Sequence, residues 1–201
     1  MTQHRMRGFS LLETMVVLSI IFIVTAISMM TLQPALQSQR VTNAYNTTLM
    51  AMRQARDLAV AQRQVYFVTF THVNNNPPDT ITITQGATGT VITTLDLPMD
   101  VDFETVTGIP TGAGTTPDNF GLGGAAIDFD QNVAGGNPNV IYFQPDGSGQ
   151  DVAGNINNGV IYVARPGELY SSHAITFWGA TGRIRGWRLL VNKGTPYWRE
   201  M

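Results

Sequence analysis

The pattern of apolar and polar positions changes character twice along the chain. From Thr14 to Gln39 no residue is charged, and Met15 to Leu32 is almost wholly Val, Ile, Leu, Met, Phe and Ala. Such a run predicts a membrane-spanning helix of about 20 residues and exceeds the roughly 7–15 apolar residues of a secretory signal. Gln33-Pro34 predicts a kink, because the residue before a proline resists helical geometry. Beyond it the pattern becomes amphipathic. Val41, Tyr45, Leu49, Met52, Ala55 and Ala59 recur at spacings of three and four, while Arg40, Gln54 and Arg63 mostly fall elsewhere. One face of this second helical stretch should pack against a domain, and the helix should run to about Gln62.

After the helix the pattern shortens to that of strands. VYFVTF (Val65 to Phe70) ends at the breaker NNNPPD, and DTITIT, TVITTLDL and VDFETV follow with turns between them. Residues 108–136 are dense in Gly, Pro, Thr and Asn and predict a long surface loop, with IDFD (Ile127 to Asp130) a brief strand inside it. VIYFQPDGSG, GVIYVARPG, AITFW and GRIRGWRLLV then alternate strand and turn. The expected fold class is α+β: a long N-terminal helix, transmembrane in its first half and amphipathic in its second, packed on a β-rich antiparallel globular domain. No internal repeat is evident.

Charge sharpens this outline. His4, Arg5 and Arg7 precede the apolar run and Arg40 is the first charge after it, so the positive-inside tendency places the N-terminus in the cytoplasm and exports the rest. Gln64 to Ala164 holds ten acidic residues and no Lys or Arg, whereas Arg165, Arg183, Arg185, Arg188, Lys193 and Arg199 face only Glu168 and Glu200. The basic end predicts an anionic contact, or else it balances the acidic body within one fold. The absence of cysteine excludes disulfides, thiolate metal sites and thiol nucleophiles.

One charge breaks the logic of the apolar segment. Glu13 stands at its threshold, where a carboxylate is costly unless paired. Arg7-Gly8-Phe9-Ser10-Leu11-Leu12-Glu13 resembles the processing site of type IV pilins and type II secretion pseudopilins. The resemblance implies that prepilin peptidase cuts between Gly8 and Phe9 and that Phe9 is N-methylated. Residues 1–8 would then be a leader peptide, 9–34 the transmembrane and assembly helix, 35–63 the amphipathic helix and 64–201 the globular domain, with 108–136 an insertion. It also makes Glu13 the fifth mature residue, able to pair inside a filament with the N-terminal amine of a neighbouring subunit. Many pilins carry a proline near the twenty-second mature position; Met30 stands there in this chain, and the nearest proline is Pro34.

FQPDGSG, GVIYVAR and AITFWGATGRIR, together with RQARDLAVAQRQVYFVTF at the helix-to-strand junction, resemble the GspH/FimT branch of minor pilins and pseudopilins. If Gly182 to Val191 is a strand, Arg183, Arg185 and Trp187 share one face, with Ile184 and Leu190 on the other. Two guanidiniums beside an indole suit nucleic acid, the arginines holding phosphates and the ring stacking. Arg188 and Lys193 add charge nearby. Gly182-Arg183-Ile184-Arg185 matches the GRxR element implicated in DNA binding by FimT-like minor pilins; the alternative is a solvated strand face paired with the acidic body. After loss of Arg5 and Arg7 the mature net charge is −4, from ten basic and fourteen acidic residues, so contact with DNA must be local and salt-sensitive.

Catalysis has little support. His4 lies in the leader, His72 and His173 lack metal-ligand partners at a recognised spacing, and no serine sits in a nucleophile elbow. Asp128, Asp130 and Asn132, and likewise Asp146, Ser148 and Asp151, present alternating oxygens. Neither set combines the glycine with the distal bidentate glutamate of a calcium loop, and both read as turns. The expectation is therefore a non-enzymatic subunit with no cofactor and no metal: a minor type IV pilin, in the inner membrane and then in a pilus, with double-stranded DNA as a further partner. The resemblance equally admits a GspH-like pseudopilin of a periplasmic type II secretion filament, or a structural pilin that primes assembly.

Overall fold

A computed structural model describes residues 10–73, 78–86, 88–121, 123–131 and 137–201. Two compact units divide the chain at Ser38 and Gln39. Among the described residues a single helix, α1 (Leu11–Gln62), precedes the first strand.

In the first unit the side chains of Leu11 to Leu36 are exposed. Its few hydroxyls are satisfied within the helix: Ser19 Oγ donates to the Met15 carbonyl at 2.8 Å, Thr25 Oγ1 to Ile21 at 2.7 Å and Ser28 Oγ to Val24 at 2.8 Å. Back-bonding of this kind leaves none of these hydroxyls seeking water, which is what a bilayer requires. Pro34 lies inside the helix rather than ending it. It removes one N–H, yet the helix continues on both sides.

In the second unit the expected amphipathic face forms. Val41, Tyr45, Leu49, Met52, Ala55 and Ala59 are all buried, together with Ala44, Thr48 and Ala51. Arg63 adopts a left-handed conformation (φ 51°), and Gln64 N–H closes the helix end on the Ala59 carbonyl at 3.3 Å. Among the described residues ten strands follow in two antiparallel sheets: β1 (Tyr66–Thr71), β2 (Thr80–Gln85), β3 (Thr90–Asp96), β4 (Ile127–Gln131), β5 (Val140–Phe143), β6 (Gly149–Gln150), β7 (Asn158–Val163), β8 (His173–Trp178), β9 (Arg183–Asn192) and β10 (Thr195–Glu200). Their orders are β3-β2-β1-β5-β6 and β10-β9-β8-β7-β4.

Period-two alternation distributes two cores. Tyr66, Val68, Phe70, Ile81, Ile83, Ile161, Ile175 and Phe177 join the buried residues of α1 in one cluster. The opposite face of the second sheet sends Val160, Tyr162, Ala174 and Leu189 into another, which Ile109 and Phe120 cover. Being buried on both faces is why β7 reads as an unbroken apolar run. Residues 108–121 are irregular, as expected of a loop, but Ile109, Pro117 and Phe120 are buried, so the segment roofs the second core instead of standing in solvent.

Two strand assignments differ from expectation. VDFETV keeps only a single bridge, Asp102 with Ala164. The fully buried carboxylate of Asp79 captures the Phe103 N–H at 2.6 Å and the Val73 N–H at 2.9 Å, with His72 Nδ1 also at 2.9 Å, so a side chain takes the place of a ladder. β10 lies beyond GRIRGWRLLV, the last strand expected from the sequence, and contains Pro196. It forms at the sheet edge, where a missing N–H is tolerated, and the turn before it uses positive φ at Lys193 (49°) and Gly194 (82°).

His173, 5% exposed, stacks on Tyr45 at 5.2 Å and donates from Nδ1 to the Ser171 carbonyl at 2.8 Å. Burial, aided by the nearby Arg188 charge, pushes its pKa down against the opposing pull of that hydrogen bond. Its folded pKa therefore lies below the unfolded value near 6.5, and its contribution to stability is complete above that pH and lost as pH falls towards the folded pKa. Burial pushes Asp102 and Glu104 up, which acts in the opposite direction by favouring the fold on acidification. Chemical denaturation at pH 7.5 and 5.5 should show His173→Gln losing less stability on acidification than the unaltered protein. Equal losses would refute the assignment.

Candidate functional site

β9 places the sequence-predicted arginines. Arg183, Arg185 and Trp187 alternate onto the outer face of the second sheet, while Ile184 packs against the α1 core. Arg188 falls on the opposite face, beside His173 in register. Lys193 lies in the β9–β10 turn, about 30 Å along the strand from Arg183. The strand thus gathers three of the five candidate residues and separates two.

Gly182 shows why this motif begins with glycine. Its φ is 64°, and a Cβ there would collide with the Gly147 carbonyl oxygen and Arg56 Nε. The β8–β9 turn is closed by Gly182 N–H donating to the Trp178 carbonyl at 2.8 Å. Four residues on, Gly186 faces the Tyr45 hydroxyl with no space for a side chain. Both glycines are demanded by close backbone approach.

Arg185 is engaged rather than free. Its Nη1 lies 2.6 Å from Asp118 Oδ1 and its Nε 3.0 Å from Glu200 Oε1, the second contact ionic without hydrogen-bond alignment. Asp118 accepts a further hydrogen bond from the Thr176 hydroxyl, and Thr176 Oγ1 accepts one from Trp187 Nε1 at 3.0 Å. The Arg185 guanidinium also lies 5.8 Å from the Trp187 ring centroid. Asp118 belongs to the segment that roofs the second core. It holds positive φ (51°) there, as does Asn119 (62°), a conformation rarely kept by non-glycine residues without surrounding support.

Arg183 differs: its side chain is 59% exposed, and its nearest carboxylate, Glu200, stands 4.0 Å away. It borders a polar cavity of about 430 Å³ that Arg53, Arg56 and Asp57 of α1 share with Thr181 and Gly182 of the β8–β9 turn. Sequence reading missed Arg53, Arg56, Asp118 and Glu200. Nothing local marks them, because each meets β9 only through the fold.

The other candidates fall as follows. Gly8 and Phe9 lie outside the described residues. Glu13 is exposed in the first turn of α1, with no ion pair among the described residues. Of the calcium-like strings, Asn132 is likewise outside the described residues. Asp146 Oδ1 accepts the Ser148 N–H at 2.8 Å, and Asp151 accepts the Asn155 N–H at 2.7 Å and its Nδ2 at 3.0 Å, so these carboxylates are used in turns. Hydrogen bonding by the Ser148 side chain and N–H holds Asp146, and by the Asn155 side chain and N–H holds Asp151, below the usual carboxylate pKa. Among the described residues no three His, Asp or Glu side chains form a metal-holding group.

Comparison with known protein families places a prokaryotic N-terminal methylation motif at residues 3–29. No curated protein and no solved structure matched the chain. The motif, together with one long apolar helix of spanning length, supports a type IV pilin-like protein and is consistent with anchoring in the inner membrane.

Proposed function

We propose that the chain is a minor type IV pilin of the GspH/FimT kind. It is cut between Gly8 and Phe9, N-methylated at Phe9, held in the inner membrane with its β-rich domain exported, and drawn with other pilin subunits into a pilus. The observation that carries this reading is the exposed apolar half of α1: no residue of its membrane-length window is buried. Twenty or so uncovered apolar residues need lipid first and neighbouring helices later. Glu13 supplies a carboxylate for a neighbour's amine at the start of that stretch.

The exposed arginine of the GRxR element supports a second part of the proposal, contact with the backbone of double-stranded DNA. Arg183 makes that contact, Arg185 and Trp187 stiffen the strand beneath it, and Arg188 and Lys193 add positive field. A rival reading, a GspH-like pseudopilin or a priming pilin without DNA affinity, draws support from the saturation of Arg185 by Asp118 and Glu200. Full-length protein in neutral detergent should bind a duplex with affinity that falls steeply between about 50 and 200 mM salt, and Arg183→Gln should lower the slope of log Kd against log salt by about 1. No binding by folded protein would discard the DNA role and leave assembly or secretion. Intact mass should show loss of residues 1–8 and one methyl group; an uncut N-terminus would refute the pilin reading itself.

A further inference from the structure

We infer that a DNA backbone phosphate is held not at Arg185 but in the cavity that Arg53, Arg56 and Arg183 share. The inference rests on the DNA reading above and locates its binding site. Five observations lead there. Arg185 already faces two carboxylates, one of them on a side chain only 6% exposed, so a phosphate would have to displace Asp118. Arg53 and Arg56, by contrast, take part in no ion pair among the described residues. The cavity therefore sets the guanidiniums of Arg53 and Arg56, with Arg183 at its rim, against the single carboxylate of Asp57.

Arg56 is also pre-positioned. Its Nε donates to the Gly147 carbonyl at 3.2 Å, and it makes no other hydrogen bond among the described residues, which leaves both terminal nitrogens for a ligand. Gly147 and Gly182, both at positive φ, bring the β5–β6 and β8–β9 turns against that guanidinium. Finally, Thr181 Oγ1 accepts the Arg183 N–H at 3.4 Å and keeps its own hydrogen to donate. A guanidinium fixed through one nitrogen and open through two matches the forked recognition of a tetrahedral oxyanion. A phosphodiester bears one negative charge, and Arg53 and Arg56 outweigh the one carboxylate of Asp57, so the match is electrostatic as well as geometric.

The test uses full-length protein in neutral detergent and a fluorescent duplex, with affinity measured at several salt concentrations between about 50 and 200 mM. Arg53→Gln/Arg56→Gln should weaken binding tenfold or more at the lowest salt and reduce the salt slope by about 2, one per lost phosphate contact. Arg53→Glu, at an exposed position with no ion pair among the described residues, should weaken binding with an unchanged melting temperature, which guards against a folding artefact. Arg199→Gln, on the edge strand, should leave the slope unaltered. Unchanged slopes in both cavity variants, beside a wild type that binds, would overturn this site while leaving the DNA reading intact. Absence of binding by the wild type would overturn both. Normal DNA affinity with loss of the Arg53→Glu chain from filaments would show the cavity to be a subunit contact and overturn the inference as well.

Discussion

A Glu13→Val chain is expected to reach the membrane, lose its leader at the normal rate and be almost absent from filaments. Glu13 is exposed in the first turn of α1, the next charged residue is Arg40, and no cation of the described residues pairs with it. In lipid a carboxylate near the helix end remains tolerable because it can reach the interface. Moved into the packed core of a filament, it needs a partner, and an unpaired charge at the centre of a membrane helix costs about 2.5–3.5 kcal/mol. The proposed partner is the amine of an adjacent subunit's first mature residue. Valine removes the charge and increases membrane affinity, so any loss from filaments reports the missing pair rather than a weakened anchor. Sheared filaments and membranes blotted side by side would show the filament fraction falling at least tenfold at constant membrane level. Undiminished incorporation would remove Glu13 from assembly.

Gly186→Ala should produce a large loss of stability for a single methyl group. A Cβ at this position would lie inside contact distance of the Tyr45 hydroxyl oxygen, and Tyr45 is 5% exposed and stacked on His173, so it has little room to retreat. Overpacking of this kind costs about 1–3 kcal/mol, and the tight fit puts this case at the upper end. For a domain of this size that lowers the melting temperature by about 6–12 °C, taking roughly 2–4 °C per kcal/mol. Tyr45→Phe removes the oxygen that the methyl strikes. The double variant should therefore recover a substantial part of the loss, a non-additivity expected only for residues in contact. Purely additive melting shifts would refute the clash.

The helix was legible because its two patterns are long and strongly periodic. Val41 through Ala59 needed only the 3.6-residue repeat, and all six residues are buried. Most strands were legible from short apolar runs set between turns. β10 carries no such mark: Pro196 interrupts its pattern, and its position at an edge makes proline harmless. VDFETV misled in the other direction: its composition is that of a strand, but Asp79, more than twenty residues earlier, intercepts its backbone. Period two correctly placed Arg183, Arg185 and Trp187 on one face. It could not reveal that Asp118 closes over Arg185, nor that Arg53 and Arg56, some 130 residues before Arg183, stand beside it. Alternation assigns a side chain to a face; only tertiary folding assigns its neighbours.

The seating of Arg56 between Gly147 and Gly182 makes one fastening of two sequence strings, QPDGSG and GATGRIR, that look independent. Neither turn can drift, lengthen or gain a side chain without prising open the other. Among chains built on this plan the two glycines should be kept or lost together. Grafting the arginine string into another pilin domain without its companion turn should transfer the charge but not the grip.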